Sequence, residues 1–430
     1  MADDDIYGNK SKYERFKNNL NDLLDPKLRS KYKYYCKSPE NLQYFNQLFI
    51  HFEAKDLSFI RRLRMLQTMK FIVYFTKKDL KTCDRSDINQ LMSHMHNTYN
   101  TPRSKETFIM DLKLIWKVLF PEKDEKGRQD ETIVPYPVRH ISTKVDISRQ
   151  KLRKDKLTGE EFEKLLNYFS NNPQLQAFIT LSLESLARPQ ELLYLKIGDA
   201  ELYNNYAKIF ISEHGKEGTG LLQCIDSYPY LLKWLNQHPL KNDKKAFLFI
   251  NTGNTNTLKQ SRPENINKHI RKACKDLNID KPITCYSLKR NGVTIRRLRG
   301  ESDLEIQHAA RWTSTDQLKT YDLSNQDEAF KIALEKKGII KPDSQTAKTL
   351  KTKTCPFCNE KAGFGEIICN KCQHPLDRDL ILSEKQKDEE IERLKQSVTN
   401  INSQFETIKQ QIMQELTEQI LQTKQVQESL

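Results

Sequence analysis

The sequence predicts a mainly α-helical protein with one small antiparallel β-sheet. Apolar residues recur at the three- and four-residue spacing of amphipathic helices through most of the chain. Two short runs, YAKIFIS and GLLQCID, instead alternate apolar and polar residues on either side of a turn that contains Gly215 and Gly218, which is typical of a β-hairpin. With 430 residues, the chain is long enough for two or three domains, each with its own hydrophobic core.

The first third of the chain divides into a tail and a helical domain. Residues 1–37 are rich in lysine, asparagine, aspartate and tyrosine, and we expect a lead-in tail with at most one short helix. Four amphipathic helices follow between residues 38 and 122, and Ser58, Ser86 and Ser104 stand where helix N-caps belong. This pattern predicts a compact helical domain over 38–122.

A linker and a second domain come next. Residues 123–156 are predicted to be an interdomain linker, because the segment from Pro121 onward contains three prolines and a dense mixture of charges. Thr158 and Glu161 then form the signature of a capping box, which indicates a helix start. The second domain is expected over 157–340, with further helices, the hairpin and AFLFI as one more short strand.

Four of the nine cysteines form a set. Residues 341–354 are a polar linker, and in 355–376 two CxxC pairs stand ten residues apart, Cys355 with Cys358 and Cys369 with Cys372. Two such pairs can present four thiolates to one tetrahedral Zn²⁺, so the sequence predicts a structural zinc ribbon. The other five cysteines are scattered singly, which is typical of a reducing compartment.

The C-terminal segment, 384–430, contains neither proline nor glycine. Its apolar residues follow the alternating three- and four-residue steps of a heptad seam, at positions 391, 394, 398, 401, 405, 408 and 412. The seam then continues to Leu416 and Ile420 by four-residue steps, which would locally unwind a supercoil. We expect a coiled coil through which the chain self-associates; the alternative is a helix packed on the body of the same chain.

The net charge of +14 favours a polyanionic partner, most simply double-stranded DNA. No basic amphipathic helix with a strong apolar face supports a membrane surface instead. No apolar run is long enough to cross a bilayer and the N-terminus is not a signal peptide, so we expect a cytoplasmic protein. In the helical domain, basic side chains fit either a solvated helix face or a contact surface: Arg61, Arg62, Arg64, Lys70, Arg103 and Lys105.

The stretch from Tyr286 to Tyr321 carries the strongest chemical signal. It places five cations ahead of Trp312 and Tyr321, which stand nine residues apart: Lys289, Arg290, Arg296, Arg297 and Arg299. Phosphoryl transfer to a tyrosine hydroxyl needs such cations, because the charge of the phosphodiester must be held while the phenol attacks. The alternative is a basic helix and an amphipathic helix with no site between them.

Four sequence blocks together resemble the catalytic domain of the tyrosine recombinases, or phage-type integrases. The blocks are LARPQELLYLKIGD, HGKEGTG, the Trp312 to Tyr321 spacing and YDLSNQDEAF, and the resemblance covers about residues 38–375. It is closest to the archaeal branch, some members of which carry a C-terminal zinc ribbon. The resemblance implies a helical core-binding domain, a tyrosine-recombinase-like catalytic domain, and DNA recombination or integration through a 3′-phosphotyrosyl intermediate.

The same resemblance implies a role for each matching residue. Arg188 would bind a non-bridging oxygen of the scissile phosphate, and Glu191, at the adjacent acidic position, would have an orienting or a structural role. Lys216, with Lys208 as the alternative, would protonate the leaving 5′ oxygen. The indole of Trp312 would donate to the phosphate, and Tyr321 would be the nucleophile. The resemblance implies no catalytic cofactor. It does imply an assembly of four protomers on two DNA duplexes.

One block departs from the family pattern. The usual His-x-x-Arg falls on Tyr286 and Lys289 and reads Tyr-Ser-Leu-Lys. Lysine neutralises a phosphate only as a point charge, and Arg290 is a second candidate for the missing guanidinium. The sequence is therefore consistent with an active recombinase, with an impaired one that still binds or bridges DNA, and with a topoisomerase-like nicking and closing enzyme.

Overall fold

The computed structural model describes residues 6–25, 27–28, 33–144, 154–211, 218–253, 257–341, 352–364, 366–369, 371–376 and 378–428. In the last range, side chains are described for 386–387, 389–414 and 416–417. The chain divides into two compact units, Met1–Lys154 and Asp155–Leu430.

The described part of the first unit is mainly helical. Its helices are α1 (Asn9–Asn18), α2 (Gln43–Ala54), α3 (Phe59–Phe75), α4 (Arg85–Thr98), α5 (Pro102–Leu119) and α6 (Tyr136–Arg139). A short antiparallel pair, β1 (Glu122–Lys123) and β2 (Gln129–Asp130), lies between α5 and α6. The four helices expected between residues 38 and 122 are α2 to α5.

The core of this unit extends beyond the domain that the sequence predicts. Tyr13 and Leu23, from the expected lead-in tail, and Val138, from the expected linker, are fully buried in the same apolar cluster as α2 to α5. Both flanking segments are polar on average but contribute a few large apolar side chains to the core. Burial of such a side chain stabilises the fold by about 1.5–3 kcal/mol, which is enough to hold a short segment in place.

The helix starts follow capping chemistry more closely than serine position. Ser58 is the N-cap of α3 as expected, but the N-cap of α4 is Asp84, whose side chain and that of Asp87 form a capping box. The N-cap of α5 is Thr101, because Pro102 after it occupies the first helical position. Ser86 and Ser104 therefore lie inside the first turns of their helices.

The described part of the second unit is mainly helical with a three-stranded sheet. Its helices are α7 (Gly159–Tyr168), α8 (Pro173–Ser185), α9 (Pro189–Leu193), α10 (Tyr228–Gln237), α11 (Pro263–Asp276), α12 (Cys285–Leu298), α13 (Asp303–Ala310), α14 (Leu318–Tyr321), α15 (Gln326–Lys336) and α16 (Arg378–Glu428). The sheet order is β3 (Ala200–Leu202), β4 (Ala207–Ile211) and β5 (Gly220–Cys224), all antiparallel. The capping box of Thr158 and Glu161 opens α7 as expected.

The hairpin of β4 and β5 confirms the prediction from alternating residues. Ile209 pairs with Leu222, and both side chains are fully buried on the inner face of the sheet. The strand predicted at AFLFI is wrong: its residues form only isolated bridges, Lys196 to Phe247 and Ile250 to Gln260. A short apolar run is buried whether or not it joins a ladder, so periodicity alone could not decide.

Helix α12 packs closely on α8, and one glycine allows this contact. A Cβ at Gly292 would lie 2.2 Å from the carbonyl oxygen of Leu183 on α8. A second apolar cluster forms where α12 and α13 meet the end of α8; its buried members are Leu186, Val293, Ile306, Ala309, Ala310, Trp312 and Leu318. This cluster fixes the positions of the chain before Arg188 and after Arg311.

The C-terminal part of the unit is a small hairpin followed by one long helix. Strands β6 (Lys353–Thr354) and β7 (Lys361–Ala362) pair antiparallel, and α16 continues for 51 residues. Among the helices of the described residues, none combines the length and the apolar character that crossing a bilayer requires.

Candidate active site and metal centre

Arg188 and Glu191 form one end of the candidate site. Because Pro189 follows it, Arg188 is held in an extended conformation and becomes the N-cap of α9. Glu191 Oε2 accepts the backbone N–H of Arg188 at 2.8 Å, and Glu191 Oε1 lies 3.7 Å from Arg188 Nη1. Both side chains are buried. The carboxylate therefore bonds the backbone of Arg188 and lies within ion-pair distance of its guanidinium, while the orienting role that the resemblance implies stays a prediction.

Lys289, Trp312 and Tyr321 form the other end. The Lys289 ammonium lies 5.4 Å from the centre of the Trp312 ring and 5.2 Å from that of Tyr321. The two rings are 5.3 Å apart at a tilt of 36°. Lys289 is fully buried, and cation–π contacts stabilise its charge there. The nine-residue spacing does bring Trp312 and Tyr321 together.

The chain around Tyr321 is fixed on both sides. Ser314 caps the short 3₁₀ turn that leads into α14, and the Leu323 backbone N–H after α14 donates to Thr294 Oγ1 on α12 at 2.9 Å. The Tyr321 ring packs at the edge of the apolar cluster and is partly exposed. Its hydroxyl is thus carried on a well-supported turn.

The Trp312 indole N–H is buried, and no acceptor for it lies among the residues that the structure describes. A buried donor without an acceptor costs about 1–3 kcal/mol. The cost is removed when a bound group supplies an oxygen, so the indole N–H is available to a ligand.

The other cations of the 286–321 stretch are held by carboxylates. Arg290 donates through Nε and Nη2 to one oxygen, Oδ2, of Asp155, whose carboxylate is 6% exposed. Burial alone would raise the pKa of Asp155, but hydrogen bonds from Arg290 and Ser287 lower it below its ordinary value. The remaining arginines pair as follows: Arg296 with Glu301, Arg297 with Asp303, and Arg299 with Asp226. Of the five cations that the sequence singles out, Lys289 is the one that contacts the Trp312 and Tyr321 rings.

Two further sequence candidates have different outcomes. Tyr286 lies one helical turn before Lys289 on α12 and is half-buried. Lys216 lies outside the described residues, in the connection between β4 and β5. Its alternative, Lys208, is exposed on β4, where its ammonium lies 5.5 Å from the ring centre of Tyr203. The role of Lys216 stays a prediction.

Arg311 is a site residue that sequence reasoning missed. Its Nη2 donates to Glu191 Oε2 at 2.7 Å, so Glu191 lies between the guanidinium groups of Arg311 and Arg188. Arg311 ends α13 in the left-handed conformation, with φ of 58°. For a residue other than glycine, this conformation costs about 1–3 kcal/mol. The signal in the sequence was an arginine where a helix end usually has glycine or asparagine.

The four clustered cysteines form the candidate metal centre. Their sulfur atoms all lie within 4.8 Å of one another, with Cys355 Sγ 3.5 Å from Cys372 Sγ and Cys358 Sγ 3.6 Å from Cys369 Sγ. A tetrahedral zinc with Zn–S bonds of about 2.3 Å separates its sulfurs by roughly 3.8 Å. The arrangement could hold a metal ion and fits zinc.

The thiols of the cluster differ in pKa: that of Cys355 is lowered, and those of Cys358 and Cys372 are raised. Burial opposes ionisation of Cys355, but the backbone amides of Cys358 and Phe357 and the thiol of Cys372 lower the pKa of Cys355 to about 6. A thiolate is the form that binds metal. The ribbon is attached to the rest of the unit, because Tyr230 Oη donates to the Phe364 carbonyl at 2.8 Å.

The basic residues of the first unit divide into structural and exposed groups. Arg62 is buried, donates through Nε to the Leu57 carbonyl at 2.6 Å, and stacks on two aromatic rings. Arg64 forms a bidentate bond with buried Asp111. Arg61 and Arg103 are exposed. Neither the solvated-face interpretation nor the contact-surface interpretation therefore applies to the whole set.

Comparison with known proteins finds one matching family. Residues 155–329 match the phage integrase family. No curated protein sequence matches the chain. The archaeal affinity stays a prediction.

Several solved structures share the fold. One is XerH site-specific recombinase bound to palindromic difH substrate, with 19% identity, 66% of this chain and 82% of that chain covered, and a TM-score of 0.51. A lambda integrase dimer bound to a COC′ core site has 14% identity, coverage of 66% and 96%, and a TM-score of 0.51. The Tn1549 transposon integrase in complex with transposon right end DNA has 14% identity, coverage of 68% and 98%, and a TM-score of 0.51.

Proposed function

We propose that this chain, whose residues 155–329 belong to the phage integrase family of tyrosine recombinases, is a site-specific DNA recombinase. It would cleave and rejoin DNA through a 3′-phosphotyrosyl intermediate on Tyr321. Recombinases of similar fold have been solved bound to DNA, as a dimer and as a tetramer, which supports a DNA substrate and an oligomeric assembly. The net charge of +14 is consistent with affinity drawn mainly from phosphate contacts.

The observation that carries this proposal is that contacts link side chains from three segments of the chain. Arg188 comes from the start of α9, Lys289 from α12, and Trp312 with Tyr321 from the chain after α13. A chain of contacts connects them through Glu191 and Arg311. A tyrosine beside buried cations is what attack on a phosphodiester requires, since the negative charge on the non-bridging oxygens must be stabilised.

The proposed reaction exchanges one phosphodiester for another. The phenol oxygen of Tyr321 forms a bond to phosphorus and gives up its proton, while the bond from phosphorus to the 5′ oxygen breaks and that oxygen takes up a proton. In this scheme Arg188 binds a non-bridging oxygen, the Trp312 indole donates to another, and Lys216 supplies the proton. Attack by a 5′ hydroxyl reverses the step, so rejoining needs no energy source.

Covalent trapping tests the proposal. In a duplex nicked a few nucleotides to the 3′ side of the cleaved phosphate, cleavage releases a short fragment that carries the free 5′ hydroxyl. This fragment diffuses away, so rejoining is blocked and a denaturant-resistant adduct accumulates. Mass spectrometry should locate the DNA on the peptide that contains Tyr321. If the chain binds the duplex but yields no adduct at any nick position, it is not a recombinase.

A catalytically impaired protein that holds or bridges DNA is the second candidate. The observation that favours it is the side chain at position 289, where a buried lysine stands instead of a guanidinium fork. Trapping separates the two candidates, because an impaired protein gives a DNA complex that denaturant fully dissociates.

We propose that α16 contributes to oligomerisation by pairing with α16 of a second copy of the chain. The apolar seam residues are between 50% and 67% exposed: Ile391, Leu394, Val398, Ile401, Phe405, Ile408 and Ile412. A continuous apolar stripe of this length on a soluble helix marks an interaction surface. A second copy of the same helix fits it, since the heptad spacing is that of a coiled-coil seam.

Charge placed in the seam should weaken the oligomer. For Ile401→Lys with Phe405→Lys, we expect the dissociation constant to rise more than about tenfold, because losing two buried apolar contacts costs several kcal/mol. Sedimentation equilibrium measures the change. Ser403→Lys, on the opposite face of the helix, is the matched control. Equal association of both variants would show that the seam does not hold the copies together.

A further inference from the structure

We propose that Arg311 is a further catalytic residue, whose guanidinium binds the scissile phosphate and supplies the fork that Lys289 lacks. This inference rests on the proposed recombinase function and identifies an additional group of the same site.

The position of Arg311 is the first argument. Its Nη2 and the backbone N–H of Arg188 bond the same oxygen of Glu191, at 2.7 Å and 2.8 Å, and Arg188 Nη1 lies 3.7 Å from the other oxygen. One fully buried carboxylate therefore holds two guanidinium groups side by side. Trp312, the next residue, contacts Tyr321. Arg311 thus lies between the two ends of the site.

The local backbone is arranged to deliver this side chain. Arg311 adopts φ of 58° at the end of α13, and strain of this kind concentrates at functional sites. Gly220 on β5 makes room for it, because a Cβ there would lie 2.7 Å from Arg311 Cδ. The left-handed turn directs the arginine toward Glu191 while Trp312 enters the apolar cluster.

The donor capacity of Arg311 is the second argument. The side chain is 9% exposed, and its Nε has no acceptor among the residues that the structure describes. A guanidinium offers five N–H donors in a planar fork. One of them is bonded to Glu191, and Nη1 lies 3.5 Å from the Gly218 carbonyl. This leaves Nε–H and one N–H on each of Nη1 and Nη2 for the oxygens of a phosphate, in a fixed plane that a lysine ammonium does not have.

The competing candidate, Arg290, is engaged elsewhere. Its Nε and Nη2 both bond Asp155 Oδ2, and Nη2 also lies 3.3 Å from Ser287 Oγ. Moving this guanidinium to a phosphate would leave Asp155 as a buried carboxylate without its partner, which is strongly unfavourable.

A charge-neutral substrate tests the proposal. In a methylphosphonate, methyl replaces one non-bridging oxygen of the scissile phosphate, so a group that acts by neutralising that oxygen is no longer needed. For Arg311→Gln we expect the single-turnover rate of adduct formation on the normal nicked duplex to fall by about 100- to 1,000-fold. On the methylphosphonate duplex the loss should shrink by at least about tenfold, since the missing charge has no target.

Two further variants keep the test independent of folding. Arg311→Gly removes the side chain and also relieves the left-handed strain, so it should fold and should show the same substrate dependence. Arg311→Lys keeps the charge without the fork and should fall between the wild type and Arg311→Gln. Arg290→Gln is the control, because any loss that follows from disturbing Asp155 should be equal on the two substrates.

The outcomes are distinct. Suppose that the wild type forms adduct. If Arg311→Gln and Arg311→Gly then form adduct at the wild-type rate, or lose the same factor in rate on both substrates, Arg311 is not a phosphate ligand. If the wild type forms no adduct on either duplex, the recombinase function itself fails.

Discussion

Tyr321→Phe is expected to abolish covalent trapping, with a loss on the order of 10⁴-fold or more in the rate of adduct formation. If Tyr321 is the nucleophile, as proposed, it contributes a bond that no other group in the site replaces. Phenylalanine keeps the ring that packs on Trp312 at 5.3 Å and contacts Lys289, so the fold and the pocket should be unchanged. The measurement is the single-turnover yield of adduct on a nicked duplex.

The controls separate chemistry from binding. DNA affinity of Tyr321→Phe should match that of the wild type, because the removed hydroxyl does not hold the fold. Tyr203→Phe changes an exposed tyrosine of the same unit and should trap DNA normally. If Tyr321→Phe forms the adduct at the wild-type rate, another residue is the nucleophile.

Much of the fold could be predicted from the sequence because its signals are local. Helices α2 to α5 follow from apolar spacing, and the hairpin of β4 and β5 from alternation. Strand β3 was missed: the sequence from Arg188 onward is helix-like in composition, and the pairing of Ala200 with Ile209 is a tertiary choice. The burial of Tyr13 was missed because a segment that is polar on average gives no sign of which single side chains reach a core.

In the candidate site, too, some residues could be predicted from short sequence blocks, whereas others depend on contacts between residues far apart in the chain. Block order and spacing pointed to Arg188, Trp312 and Tyr321. In the structure Trp312 contacts Tyr321, and Glu191 links Arg188 to Arg311, the residue before Trp312; the roles of all three stay predictions. The choice between Lys289 and Arg290 depended on Asp155, which is 135 residues from Arg290 in the chain. Arg311 was not singled out, because its helix-end position is only a weak signal and its contact with Glu191, 120 residues earlier, depends on a backbone reversal.

Replacing Cys355 and Cys358 with serine is expected to remove one zinc ion per chain and to unfold the ribbon of residues 352–376. Structural zinc sites in small domains contribute about 10–16 kcal/mol of apparent binding free energy at neutral pH, which becomes folding free energy. The ribbon has little else to hold it, since its described strands are two residues long. Elemental analysis measures the metal, and limited proteolysis measures the unfolding.

Loss of the metal should also destabilise the rest of the second unit, but only weakly. Tyr230 would lose its hydrogen bond to the Phe364 carbonyl, and Phe162 would lose its contact with the Phe364 ring at 6.5 Å. Together these contribute roughly 1–3 kcal/mol, so 155–329 should stay folded with a lowered melting temperature. Chelation of the wild-type metal should reproduce both results, whereas Cys274→Ala, outside the cluster, should alter neither metal content nor cleavage pattern. A wild-type chain that purifies without metal and still protects its ribbon from protease would show that four thiols, and not a metal, hold this segment.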